Sequence, residues 1–220
     1  MAGGILAAYI GYRGVYGVQT LIAFLAVPSS FMLVEPPRYI LKNRPGIKQI
    51  FVVANNALFQ NRKLSSAILF SSVIGTATLC MAWTCQVFFV FQGFTEKTIT
   101  PLWITLNLLA GITAASASTM EQFSGRKSLF MLIIIFIPAG YILLAQLPLG
   151  AGLFFLYVFY GVRGFATPLL KDLINSHCDS ATRATVLSIR SMVIRTSFSL
   201  IGPVIGFVEQ WRSLPTALTY

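Results

Sequence analysis

Six apolar runs of about 20 residues, the length a helix needs to cross the hydrocarbon of a bilayer, divide this chain: residues 14–34, 66–92, 101–120, 128–147, 152–170 and 184–208. A bilayer offers the backbone no hydrogen-bonding partners, so each run has to satisfy its own peptide groups as a helix. The expected fold class is therefore all-α, a polytopic membrane helical bundle with about six transmembrane helices. Composition agrees, since 56% of the 220 residues are hydrophobic, 10% are charged and the mean hydropathy is +0.77, outside the range of soluble globular domains. No separate soluble domain is legible. The Met-Ala-Gly-Gly start lacks the basic region of a signal peptide.

A net charge of +10 raises nucleic acid as a partner, but the placement of the bases excludes it. Ten of the sixteen basic residues fall on one side of the span order: Arg38, Lys42, Arg44, Lys48, Arg62 and Lys63, then Arg126 and Lys127, then Lys171 and Arg183. Arg13, Lys97 and Arg212 fall on the other. An excess of Lys and Arg marks the cytoplasmic face. The first span then runs outside to inside and the last inside to outside, in a multi-pass protein of the cell membrane, inner or plasma.

Three arginines remain within the spans: Arg163, Arg190 and Arg195. An ionised side chain near the bilayer centre costs roughly 2.5–3.5 kcal/mol on insertion scales, so such residues face a bundle interior or a wet cavity. In the last span Ser188, Ser191, Arg195, Ser199, Gly202 and Gly206 follow one another by three or four, one small, polar helical stripe. The opposite face carries Leu187, Ile189, Ile194, Phe198 and Ile205. Close helix packing and cavity lining both suit the serines and glycines; packing alone explains Arg195 poorly.

Other spans carry similar stripes. The second aligns Ser72, Gly75, Thr76, Leu79, Trp83 and Gln86, the third Asn107, Gly111, Ala114, Ser118 and Glu121, and the fifth Tyr160, Arg163, Thr167 and Lys171. Arg163 either faces a cavity or snorkels toward the cytoplasm. The first span, almost wholly apolar, reads as peripheral, and the fourth, interrupted only by Pro138 and Tyr141, as lipid-facing. Residues 3–13 are too few and too glycine-rich to span alone and read as the end of an earlier helix. Between the first two spans, Pro36-Pro37 and Pro45-Gly46 break regular structure. Residues 47–64 then place Ile47, Ile50, Phe51, Ala54, Leu58 and Phe59 at helical spacing, an amphipathic surface helix beside anionic headgroups or a simple linker helix.

Chemistry of other kinds finds little support. Cys80, Cys85 and Cys178 form no C-x-x-C pair, and His177 stands alone in a loop, so no metal site and no cofactor are expected. There is no H-E-x-x-H, no carboxylate pair within a span and no nucleophile beside a base, which argues against an enzyme.

The chain resembles the major facilitator superfamily over nearly its whole length. Gly3-Gly4 and Leu6 with Gly11-Tyr12-Arg13 look like the end of that family's fifth helix and the turn into the sixth, and Glu35-Pro36-Pro37-Arg38 like the exit from helix six. Ser124-Gly125-Arg126-Lys127 resembles the basic end of the family's cytoplasmic signature loop between helices eight and nine. There Ser118 stands where a glycine is usual, and Gln122 where an acid is usual, with Glu121 one place earlier. Arg183-Ala184-Thr185-Val186-Leu187-Ser188, followed by Gly202-Pro203 and Gly206, is similar to helix eleven. Gln210 again falls at a position usually acidic, with Glu209 one place earlier, and residues 214–218 look like the approach to helix twelve.

The resemblance implies a partial fold of that type: residues 1–34 as the end of the N-terminal bundle, 35–64 as the cytoplasmic central loop with its amphipathic helix, and 65–220 as a C-terminal bundle without its last helix. It implies secondary active transport of a small solute by alternating access about a midplane site. Arg163 and Arg195 are the expected pathway cations, with Tyr160, Asn107 and Gln86 beside them, and Glu121, Gly125, Arg126 and Lys127 form the signature loop. No acidic residue lies mid-span, so the partner of each arginine is a carboxylate in the missing helices of the same carrier or an anionic group on the solute. The alternative is a truncated, non-transporting membrane fragment or a membrane interaction subunit. The span order makes one prediction of its own. In a background without native cysteines, an impermeant maleimide should label Lys63→Cys and Lys127→Cys from one face of the membrane and Lys97→Cys from the other; labelling of all three from one face would refute it.

Overall fold

The computed structural model describes residues 3–32 and 47–211. The Pro36-Pro37 and Pro45-Gly46 breaks and residues 214–218 lie outside them, and so do the side chains of Glu209 and Gln210. All regular structure among the described residues is helical: α1 (Gly3–Phe31), α2 (Ile47–Asn55), a π-helical turn (Asn56–Gln60), α3 (Arg62–Phe91), α4 (Glu96–Ala115), α5 (Ala117–Ser124), α6 (Arg126–Gln146), α7 (Leu149–Asn175) and α8 (Arg183–Trp211). Six helical stretches are long and apolar enough to span a membrane: Arg13–Phe31, α3, α4, α6, α7 and the Arg183–Val208 part of α8. The chain is thus consistent with a multi-pass membrane protein, and the six runs of the sequence correspond one to one with these helices.

The bundle is organised around α7, which packs against α4, α6, α3, α5 and α8. Its buried side includes Leu156, Phe159, Tyr160, Phe165, Leu169 and Leu170. Aromatic edges knit this core: Trp103 of α4 meets Tyr160 with ring centroids 6.2 Å apart, and Tyr141 of α6 meets Phe159 at 6.0 Å. Tyr141 also donates its hydroxyl to the Ala77 carbonyl of α3, and the Thr105 and Tyr157 hydroxyls share a hydrogen bond between α4 and α7.

Lipid is as apolar as leucine, so helices in a bilayer associate through close contact rather than through release of water. Glycines supply that contact. A Cβ on Gly164 of α7 would run into Thr113 and the Ala110 backbone of α4, one on Gly140 of α6 into the Phe159 ring, and one on Gly75 of α3 into Ile194 of α8. Beyond Gly75, α8 is held to α3 by stacking of Phe198 on Trp83, ring centroids 6.1 Å apart.

Several boundaries differ from the sequence reading. The N-terminal residues keep to it: Gly11, with a non-helical φ of +67° and ψ of +170° that suit a residue without a Cβ, separates the helical residues before it from the first span. The third span stops at Ala115, because Ser116 takes φ −86°, ψ 0° and turns its hydroxyl back onto the Ile112 carbonyl; α5 restarts beyond it. The amphipathic segment ends at Asn61, whose side chain caps α3 by accepting from the Leu64 N–H at 3.2 Å. The π turn before it rotates the expected stripe. Ala54 and Leu58 pack beside Ala57 on the ends of α3, α7 and α8, while Ile50, Phe51 and Phe59 are exposed. The fourth span is less peripheral than its composition suggests, since Leu129, Ile133, Ile137, Gly140 and Leu144 are buried along one side, α6 packing on α7. In the first, no residue from Arg13 to Phe31 is buried, and only Gly14, Val15 and Val18 are partly covered.

The α4–α7 joint gives a clean test. Gly164→Ala should destabilise the protein by about 1–3 kcal/mol through overpacking. Gly161→Ala, whose added carbon would sit 3.9 Å from Leu109, should be neutral or raise the melting temperature. Melting of both variants in detergent checks this, and equal effects would refute the close joint.

Candidate functional site

Alongside the Gly164 contact α4 and α7 border an open cleft of about 450 Å³, walled by Ala110, Gly111, Ala114 and Gly164 and bearing the polar groups of Asn107, Arg163, Thr167 and Lys171. The stripes read from the third and fifth spans thus meet. Arg163 is mid-helix, so at 1.5 Å per residue it stands roughly 20 Å from either end of α7. Its guanidinium lies over the Tyr160 ring, 5.1 Å from the centroid. Tyr160 is one turn nearer the α7 N-terminus, so Arg163 folds away from the basic-loop end instead of snorkelling to it.

That contact only partly compensates the charge. A cation–π pair contributes about 0.5–2 kcal/mol, whereas a mid-bilayer arginine costs roughly 2.5–3.5 kcal/mol. No carboxylate among the described residues pairs with Arg163, and Glu121 and Asp172 are engaged with Arg126. The Tyr160 hydroxyl is buried without a hydrogen bond, with Cys85 and Arg163 as polar neighbours. Asn107 donates one amide N–H to the Trp103 carbonyl at 2.9 Å. Its oxygen and second N–H make no hydrogen bond among the described residues. Thr167 spends its hydroxyl on the Arg163 carbonyl at 3.3 Å. The cleft therefore offers hydrogen-bond donors, one amide oxygen and positive charge.

The remaining pathway candidates lie outside this cleft. Gln86 is exposed on α3, and Arg195 is exposed on α8 with Ser188, Ser191 and Ser199. The Ser188, Ser191 and Arg195 part of the stripe consequently faces outward, Ser199, Gly202 and Gly206 border a crevice against Trp83 and Thr84 of α3, and the face carrying Ile189, Ile194 and Phe198 packs on the bundle. Arg190, to which the sequence gave no role, is the buried one: it is 9% exposed and its Nε donates to the Ser71 hydroxyl of α3. Its position was legible, because Val186, Ile189, Arg190 and Val193 share one helical face that is otherwise apolar.

A second, larger crevice of about 670 Å³ separates α3, α6 and α8. It is lined mainly by Leu69, Val73, Val193, Ile201 and other apolar groups. The Ser72 and Thr76 hydroxyls at its wall are buried without hydrogen bonds.

The signature-loop residues assemble at the basic-loop end. Gly125 takes φ +75°, ψ +148°, a conformation that disfavours any side chain, and starts α6. Arg126 then reaches Asp172 of α7 at 2.9 Å and Glu121 of α5 at 3.6 Å, while Lys127 is exposed. Asp172 was missed by the sequence reading, since nothing near Lys171 marks it as a partner for a residue 46 positions away. His177 is hydrogen-bonded through Nδ1 with the Leu173 carbonyl at 2.8 Å, and Cys80 and Cys85 are buried in the core.

A scan against protein-family models finds no match, and searches of the curated proteins and of the solved structures find none either. The functional reading rests on the residues themselves.

The Arg126 pairs are only partly exposed, with 35%, 30% and 61% of the Arg126, Glu121 and Asp172 side chains accessible, and ion pairs that solvent still reaches contribute about 1 kcal/mol or less. Asp172→Asn and Glu121→Gln should each shift stability by no more than about that, with the difference fading in 1 M salt as charges are screened. Salt-dependent melting checks this, and a loss several times larger would mean the network holds the bundle together.

Proposed function

We propose that this chain belongs to a carrier of the major-facilitator type, moving a small solute across the membrane by alternating access, with the α4/α7 cleft forming part of the wall of its path. The observation that carries the reading is Arg163, a guanidinium at mid-helix depth, without a carboxylate partner among the described residues, at the edge of a recess walled by small residues. Membrane proteins keep such charges where water or solute reaches them. Supporting it are the order of six spanning helices, the Glu121, Gly125, Arg126 and Lys127 loop with its ion pair to Asp172, and the resemblance of Arg183 to Ser188 to a helix start of that family.

A second reading, a membrane fragment or interaction subunit without transport of its own, is favoured by the extent of unpartnered apolar surface. Most of the Arg13–Phe31 stretch and the Met192, Leu200, Val204 and Phe207 positions of α8 are exposed. Further helices of the same carrier would cover such faces equally well.

Uptake into proteoliposomes decides between them. The protein should carry solute, Arg163→Gln and Asn107→Ala should each lower the rate about ten-fold or more, the loss expected on removing a charged or buried hydrogen-bonding group, and Lys97→Gln should leave it unchanged. Uptake that survives both cleft substitutions would sink the assignment of the path.

A further inference from the structure

We propose that the α4/α7 cleft selects a small organic acid, holding its carboxylate on Arg163 and a neutral polar group beside it on Asn107. This rests on the reading of the cleft as part of a solute path. The Arg163 guanidinium lies against the Tyr160 ring, and a guanidinium held on an aromatic face keeps its N–H donors at the edge, in the plane. That planar fork matches the two oxygens of a carboxylate.

The charge of the recess points the same way. Arg163 and Lys171 line it and no acidic residue among the described ones does. Glu121 and Asp172, the described acids closest to it in sequence, are both drawn to Arg126. An anion entering the cleft therefore meets no acidic group among its described walls and satisfies a cation with no carboxylate partner among the described residues. Lys171 lies eight residues along α7 from Arg163, about 12 Å on the helix axis. A single phosphate would not bridge that distance, so the mid-helix subsite presents one fork, the complement of a monoanionic carboxylate. The exposed Lys171 serves at the mouth, raising the local concentration of anions.

Asn107 supplies the second contact. With one N–H committed to Trp103, its oxygen and remaining N–H offer an acceptor and a donor, suited to a hydroxyl or amide next to the acid group. The surrounding Ala110, Gly111, Ala114 and Gly164 leave space for a compact body, and about 450 Å³ accommodates one small organic acid.

The test uses the full chain in lipid nanodiscs, with benzoate and L-lactate as probes, benzamide as the neutral isostere and inorganic phosphate as the alternative anion. Isothermal titration should show one of the two acids binding, and benzamide and phosphate at least about ten-fold weaker. Arg163→Gln should abolish that binding, Arg163→Lys, which keeps the charge but loses the fork, should weaken it at least about ten-fold, and Lys97→Gln should leave it intact. Circular dichroism and size exclusion establish that each variant is folded, and the milder lysine variant carries the test if the glutamine variant is not. Absence of binding by both acids, equal binding of benzamide or phosphate, or binding that persists in a folded Arg163 variant overturns the inference. Its failure is separable from that of the carrier. Uptake of a neutral solute without acid binding removes the carboxylate site and leaves transport standing, whereas acid binding without any uptake keeps the site and removes the carrier.

Discussion

The structure depends on how closely α7 is allowed to approach its neighbours. In water an apolar face drives helices together, but in a bilayer the competing lipid is equally apolar, and stability comes from contacts that only short side chains permit. Gly164 against Ala110 and Thr113 is the tightest of these. Gly140 beneath Phe159 and Gly75 beneath Ile194 do the same for α6 and α8. Around this frame the large aromatic rings of Trp103, Phe159, Tyr160 and Tyr141 fill the remaining volume edge to face.

The three arginines of the spans show how one residue type meets three fates in the same solvent. Arg190 is sealed between α3 and α8 on a serine hydroxyl, where its stem packs and its head ties two helices. Arg163 rests on an aromatic face at the edge of a recess. Arg195 lies on the outer side of α8, a position that in a bilayer requires water or another polypeptide beside it. Sequence periodicity separates Arg190 from Arg195, because the two fall on different faces of one helix.

Much of the fold could be read before the structure, since a spanning helix is specified by length and composition alone. The positions of Asn107 and Arg163 in one cleft were also legible in part: each lay on a stripe of small or polar residues, and two such stripes have reason to meet. Which face of α6 turns inward was hidden, because a helix that is hydrocarbon on all sides carries no directional pattern. The turn at Ser116 and the π turn before Asn61 were equally hidden, arising from a side chain bonding back to its own helix and from one extra residue per turn. Asp172 was invisible because a pairing across 46 residues leaves no local trace.

Gly164 joins two properties that are usually separable. The missing side chain that lets α4 and α7 touch also forms part of the wall of the recess next to Arg163, so seam and recess share one position. Any substituent there acts as a wedge, prying the walls apart while loosening the seam. Selection for a bulkier solute at this spot would have to trade against cohesion of the bundle, so variation in what is accommodated is expected at Gly111 and Ala114, which line the recess without taking part in the Gly164 contact.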